Sequence, residues 1–212
     1  MRFRTGIAWL TGLVAWGALG LQLWLIIGKM GADGFGTGAA VWRFLGFFTI
    51  LTNGAVAVVA TAIAMRPGSG MAGARVRLAA VTAITLVGII YSVALRGVWE
   101  PTGWQAVADH ALHDVTPPLF LVTWLVCGHP GLAWRDAVWG IAGPIVYCFY
   151  ALIRGSIDGW YAYWFLDPRE LSVGALTGNM ALLLLASLAV AFGFVAIDRW
   201  LDRREARSGT AA

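Results

Sequence analysis

Charge is what this 212-residue chain has least of: Asp, Glu, Lys and Arg make up 12% of it, about half the roughly 25% of an ordinary soluble domain. Set beside 59% apolar residues, that scarcity excludes a soluble globular enzyme, and the apolar surplus excludes intrinsic disorder. Lysine is nearly missing. Lys29 stands against fourteen arginines, and these are scattered singly, so the formal net charge of +4 does not mark a nucleic-acid-binding face. Cysteine is almost missing as well: Cys127 and Cys148 are too few for a disulfide framework and lack metal-type spacing. The chain also lacks internal repeats, low-complexity tracts and room for a second domain, so it reads as one membrane domain over 1–201 followed by a polar cytoplasmic tail, 202–212.

What the chain does have is long apolar runs. A bilayer core takes about 20 residues of helix, and six runs approach that length: Gly6–Gly28, Phe44–Met65, Val76–Leu95, Val107–Cys127, Ala137–Ile153 and Leu176–Ile197. Segments rich in Gly, Pro or charge, such as RPGSG at 66–70 and CGHPG at 127–131, separate them. The first run follows MRFR but is too long for a signal peptide and lacks a small-residue cleavage site, so it reads as a retained helix. The expectation is an all-α integral membrane protein, a bundle of six transmembrane helices.

Six spans put both termini on one side. Arg2, Arg4, Arg66, Arg75, Arg77, Arg135, Arg199, Arg203, Arg204 and Arg207 share that side, against Lys29, Arg43, Arg96, Arg154 and Arg169 on the other. The positive-inside rule then makes the termini cytoplasmic, and the expected location is a bacterial inner (plasma) membrane, crossed several times. Trp9, Trp42, Trp99, Trp104, Trp134, Trp160, Trp164 and Trp200 fall near span ends, where an amphipathic ring prefers the headgroup level.

An ionisable or strongly polar group inside a span is costly unless paired or wetted, and so marks a candidate site. Span two opens with FLGFFTILTN, which sets Thr49, Thr52 and Asn53 on one helical face. Span four carries DHALHD, in which Asp109 pairs by spacing with His113 and His110 with Asp114, while His110, His113 and Asp114 share a broad stripe. Both spans enter from the outside, and at about 1.5 Å per residue Thr49 and His113 lie on the order of 8–9 Å below the outer boundary. Tyr91, Ser92, Arg154, Thr177 and Asn179 fall in the same slab. The slab is expected to hold an outward-facing polar pocket.

A hydroxyl needs a neighbouring base to become a nucleophile, and imidazole suits that task. Thr49 or Thr52 supplies the hydroxyl and His113 the base. Asp109 or His110 would orient the ring, and Asn53, Thr52 or a nearby N–H would hold an oxyanion. A structural reading competes with this one, because Thr in a membrane helix often bonds the carbonyl four residues back and Asn often joins helices. HxxH with flanking Asp also fits a metal pair, whereas haem is disfavoured because only span four carries His. His129, beside Pro130, reads as an ordinary loop residue. Between spans five and six, RGSIDGWYAYWFLDPRE (154–170) concentrates Trp160, Tyr161, Tyr163, Trp164 and Phe165, expected as an aromatic belt or as a lid lined for an acyl chain.

WRFLGFFTILTN (42–53), HALHDVTPP (110–118) and GWYAYWFLDP (159–168), in that order on six spans, resemble the androgen-induced and androgen-dependent family of six-span membrane hydrolases. The resemblance runs from about Trp42 into the sixth span. It implies a threonine hydrolase without cofactor or metal that cleaves fatty acid esters of hydroxy fatty acids or similar lipid esters. The family's Thr matches Thr49, its His matches His113 and its accompanying His matches His110. Asp109 and Asp114 depart from the family pattern, and Tyr163-Trp164-Phe165 lacks its central Pro. Trp160, Tyr163, Trp164 and Phe165 would bind substrate. The competing functions are a non-catalytic sensor or regulator that binds a lipid or small molecule, and a proton-coupled transporter using the His and Asp residues. A transporter calls for polar residues through the inner half as well, where few occur.

Overall fold

The computed structural model describes residues 2–98, 100–127 and 131–209, with the backbone alone for 205–209. Trp99, His129, the Arg207 side chain and the end of the polar tail lie outside the described residues. Among those described there is no strand, and five helices are long and apolar enough to cross a membrane.

The elements are α1 (Arg2–Ala32), α2 (Thr37–Phe44), α3 (Phe48–Met65), α4 (Ala74–Ile90), α5 (Gly103–His110), α6 (Thr116–Val126), α7 (Ala142–Asp158) and α8 (Val173–Gly209). A π-helical turn, Tyr91–Leu95, prolongs α4, and a second, Ala111–Val115, joins α5 to α6. A 3-10 stretch, Trp134–Ile141, leads into α7. The five membrane-length helices are α1, α3, α4 with its π turn, the 3-10 stretch with α7, and α8. The rod α5–α6 falls below their hydropathy because Asp109, His110, His113 and Asp114 occupy its first half.

Most helices run a few residues past the apolar stretches, and two boundaries differ from the sequence reading in kind. The second run does not begin as one helix at Phe44: the chain turns at Leu45–Phe47, with Phe47 extended (φ −91°, ψ 131°), and α3 starts at Phe48. The cause is tertiary, since the Gly46 backbone lies flush under Arg154 and Trp160, and Tyr147 donates to the Gly46 carbonyl at 2.9 Å. At the other end, α8 does not stop at Leu201 but runs on through the polar tail to Gly209, where DRREAR supplies good helix formers.

Small residues let the helices approach closely. Gly12 of α1 packs on Thr61 of α3, Gly88 of α4 on Pro117 of α6, and Gly140 on Ala191 of α8. Thr11 and Thr123, both fully buried, share a 2.6 Å hydrogen bond between α1 and α6. Helix α4 lies at the centre and buries Leu78, Val81, Ile84 and Val87. Outward-facing positions stay apolar, among them Val146, Ile153 and Ile157 on α7 and Leu182 and Leu185 on α8. A water-soluble bundle would carry charge there, whereas lipid tails are the solvent that suits these side chains.

At one end of the bundle the loop 159–172 folds back over the helices. Arg154, buried under Trp42 and Trp160, approaches Asp158 at 3.8 Å, and Trp42 donates to Asp158 at 2.6 Å. Arg169 bonds the Asp167 carboxylate through both Nε and Nη2 and reaches the Gly159 carbonyl, closing the loop on itself. Asn179 of α8 donates to the Phe165 carbonyl at 3.0 Å. Beneath this loop lies the polar site.

Candidate active site

The turn at Leu45–Phe47 has a chemical consequence. It places Thr49 in the first turn of α3, where backbone N–H groups lack helical acceptors and the helix end is electropositive. A helix begun at Phe44 would have buried those donors in its own ladder.

Facing Thr49 is the π turn of the α5–α6 rod. Pro117 follows it and has no N–H to give to the His113 carbonyl, and the widened turn accommodates the break. Thr116 Oγ1 instead bonds the Ala111 carbonyl, five residues back, at 2.8 Å. The His113 ring thereby meets Thr49, with Nε2 at 3.3 Å from Oγ1. Its other nitrogen, Nδ1, lies 2.9 Å from the Asp109 carbonyl oxygen and 3.3 Å from Asp109 Oδ1. Both neighbours of Nδ1 are pure acceptors, so Nδ1 carries the proton and Nε2 offers its lone pair to the Thr49 hydroxyl. That is the tautomer a general base requires.

The second π turn supplies the support. Tyr91 stacks on the His113 ring, centroids 4.0 Å apart and planes 13° from parallel, and its hydroxyl donates to Asp109 Oδ2. The Arg96 guanidinium lies over the Tyr91 ring, 4.8 Å from its centroid. Asp109 is thus buried with both carboxylate oxygens engaged.

Tyr163 descends from the loop onto the start of α3. The Thr49 N–H donates to its hydroxyl oxygen at 3.5 Å, and the ring packs on Phe165 and Tyr147. Burial of this hydroxyl end pushes its pKa up, so it stays a neutral O–H donor beside the Thr49 side chain.

The remaining candidates divide. Asn53 is fully buried, and its amide donates to the Thr49 carbonyl at 2.8 Å and the Leu112 carbonyl at 3.3 Å. It ties α3 to the π turn and has no N–H left for an oxyanion. Thr52 is buried one turn further on, and the imidazole contact goes to Thr49. His110 and Asp114 do not share the His113 flank: they pair with each other at 2.7 Å, and Asp114 also pairs with Arg96. The His110 side chain is 59% exposed, against 13% for His113. The stripe expected for His110, His113 and Asp114 is therefore two separate i,i+4 pairs, and the residue at the His113 ring is Asp109. The two His of HxxH take different partners, Asp114 for His110 and Thr49 with Asp109 for His113, and no cluster of three metal-type ligands occurs among the described residues.

Thr49, Asp109, His113, Tyr91 and Tyr163 all line a cavity of about 370 Å³ between α1, the start of α3, the two π turns and the loop. Leu25, Ile26, Ile50, Leu95 and Leu112 make most of its wall apolar. Thr49 also lines a narrow recess bounded by Phe48, Tyr147, Phe165 and Leu183. Of the four aromatic residues expected to bind substrate, Tyr163 and Phe165 line these spaces. Trp160 instead packs between Arg43 and Arg154, and Trp164 is 60% exposed.

Sequence reasoning had placed Tyr91 only by depth, and it had no role for the paired π turns. The Pro117-Pro118 doublet was the available signal for one of them. Compared with known proteins, the chain matches no family model, no curated protein and no solved structure.

Proposed function

We propose that this protein is an intramembrane hydrolase of lipid esters with Thr49 as nucleophile and His113 as general base. The observation that carries the proposal is the 3.3 Å contact between Thr49 Oγ1 and an imidazole nitrogen whose partner nitrogen is held by Asp109, on the wall of an apolar cavity. In the first step His113 Nε2 takes the Thr49 proton as Oγ1 attacks the ester carbonyl carbon. Negative charge then develops on the carbonyl oxygen, opposite the Thr49 N–H at the start of α3 and the Tyr163 hydroxyl. The C–O bond to the alcohol breaks, the alcohol leaves with the proton from His113, and an acyl-threonine remains. Water, deprotonated by the same imidazole, releases the carboxylic acid and restores Thr49.

The wider proposal is six crossings, counting α5–α6 as the fourth, with both termini cytoplasmic and the site in the outer leaflet of a bacterial inner membrane. The arginine asymmetry and the apolar outer faces of the helices support it. The resemblance to the androgen-induced hydrolases supports fatty acid esters of hydroxy fatty acids, or similar lipid esters, as substrates.

The test is hydrolysis of a long-chain ester by reconstituted wild type and by Thr49→Ala, Thr52→Ala and His113→Ala. Activity lost in the Thr49 and His113 variants and kept in Thr52→Ala supports the proposal. A wild type that binds the ester without cleaving it overturns it in favour of a lipid sensor.

A further inference from the structure

Four residues of α1 line the cavity, Gln22, Leu25, Ile26 and Lys29, and their i, i+3, i+4, i+7 spacing makes them one stripe. Lys29 is the only lysine of the chain and, among the described residues, the one lysine or arginine on the cavity wall, where His113 is the other basic group. The other charged and amide groups on that wall have partners. Gln105 donates to Gln22 at 2.7 Å, and Asp109 is held by Tyr91 and His113. Among the described residues the Lys29 ammonium has no hydrogen-bond or ion-pair partner, while its backbone carbonyl accepts from the Asp33 N–H.

Packing fixes its level relative to Thr49. A Cβ on Gly12 would lie 3.1 Å from Thr61 Oγ1, and Trp16 donates to the same oxygen at 3.3 Å. The two helices run antiparallel, so stepping back from Thr61 to Thr49 on α3 climbs α1 by about 18 Å, to the level of Trp24. Lys29 therefore stands about 8 Å beyond the Thr49 hydroxyl, toward the end of the bundle that carries the loop.

We propose that Lys29 is an anion site at the mouth of the cavity, which anchors the carboxylate or phosphate of a single-chain amphiphile whose tail lies along the apolar wall past Thr49. A lone ammonium beside an apolar cavity favours a ligand with one negative head and a hydrocarbon body, because only such a ligand satisfies both parts of the wall. The proposal rests on the functional reading only in taking this cavity as the ligand site; it does not require that the ligand be cleaved.

Binding tests it directly, with Thr49→Ala protein in zwitterionic nanodiscs so that no probe is turned over. The probes are a fluorescent long-chain fatty acid, its methyl ester and the corresponding alkyl phosphate. The expected result is about tenfold tighter binding of the anions than of the methyl ester, a preference erased by Lys29→Gln and kept by Lys29→Arg. Whichever anion binds more tightly identifies the head group. Equal affinity for acid and methyl ester, or a preference that survives Lys29→Gln, would show that Lys29 merely snorkels to the lipid surface and would overturn the anion site. Wild-type hydrolysis, run in parallel, separates the two proposals: cleavage without anion preference overturns this one alone, and anion preference without cleavage overturns the hydrolase alone.

Discussion

Each side chain at the site makes a contact that fixes what its neighbour can do. In the proposed mechanism His113 serves as a base because the two acceptors at Nδ1 leave Nε2 unprotonated, and of these two the Asp109 carboxylate would also stabilise the imidazolium formed as Thr49 gives up its proton. Replacing Asp109 by Asn should lower kcat about 10²–10⁴-fold, whereas His110→Ala, on the other flank, should leave kcat unchanged; steady-state ester hydrolysis distinguishes them. Tyr163 is assigned to the oxyanion. Tyr163→Phe should therefore cost about 10²–10³ in kcat with little change in KM, and a rise in KM alone would reduce Tyr163 to a wall residue. The sequence made Thr49 and His113 a pair by depth arithmetic, but the choice between Asp109 and His110 stayed open. Both carboxylate–histidine pairs have the same i,i+4 spacing, and only tertiary packing decides which faces inward.

Among the elements, the two π turns and the helix break at Leu45–Phe47 build the site, and all three escape periodicity arguments. An apolar run continues unchanged through a π turn, and the break depends on Arg154 and Trp160, distant in sequence, lying on Gly46. Close helix packing was equally hidden. A Cβ on Gly140 would sit 2.3 Å from the Ala191 Cβ and 3.3 Å from the Thr82 side chain, so the helices would have to shift. Gly140→Ala should cost about 1–3 kcal/mol, read as a lower Tm in detergent, while Gly17→Ala, open on the surface of α1, should be neutral or stabilising. The loop over the site has its own electrostatic tie: the Arg169 guanidinium holds the Asp167 carboxyl below the usual carboxylate range. Because the folded pKa is depressed, this tie contributes fully above the unfolded value of about 3.9 and is lost as pH falls through the lower, folded value. A spin label at position 164 in a cysteine-free protein should gain mobility over that acid range, and Asp167→Asn should make it mobile already at neutral pH.

For the whole molecule, five of the six apolar runs fall on helices long and apolar enough to cross a membrane and the fourth on the less apolar rod α5–α6, and the helices were legible because lipid leaves the backbone few alternatives. Runs one, three and five appear as longer elements than their apolar cores, since polar and small residues extend the helices past the hydrocarbon length. Orientation is a separate matter. The proposed topology puts Gly34 outside and Ser69 inside, so in a background lacking Cys127 and Cys148 an impermeant maleimide added to right-side-out vesicles should label Gly34→Cys and spare Ser69→Cys. The opposite pattern would invert the molecule and put the cavity in the inner leaflet. The proposed hydrolysis converges on one oxygen atom, Thr49 Oγ1. The most direct measurement is peptide mapping by mass spectrometry after reaction of the purified protein with a fluorophosphonate. The mechanism requires a single adduct on Thr49, abolished by His113→Ala; an adduct on Thr52 or elsewhere, or an unmodified wild type that still hydrolyses ester, would contradict it.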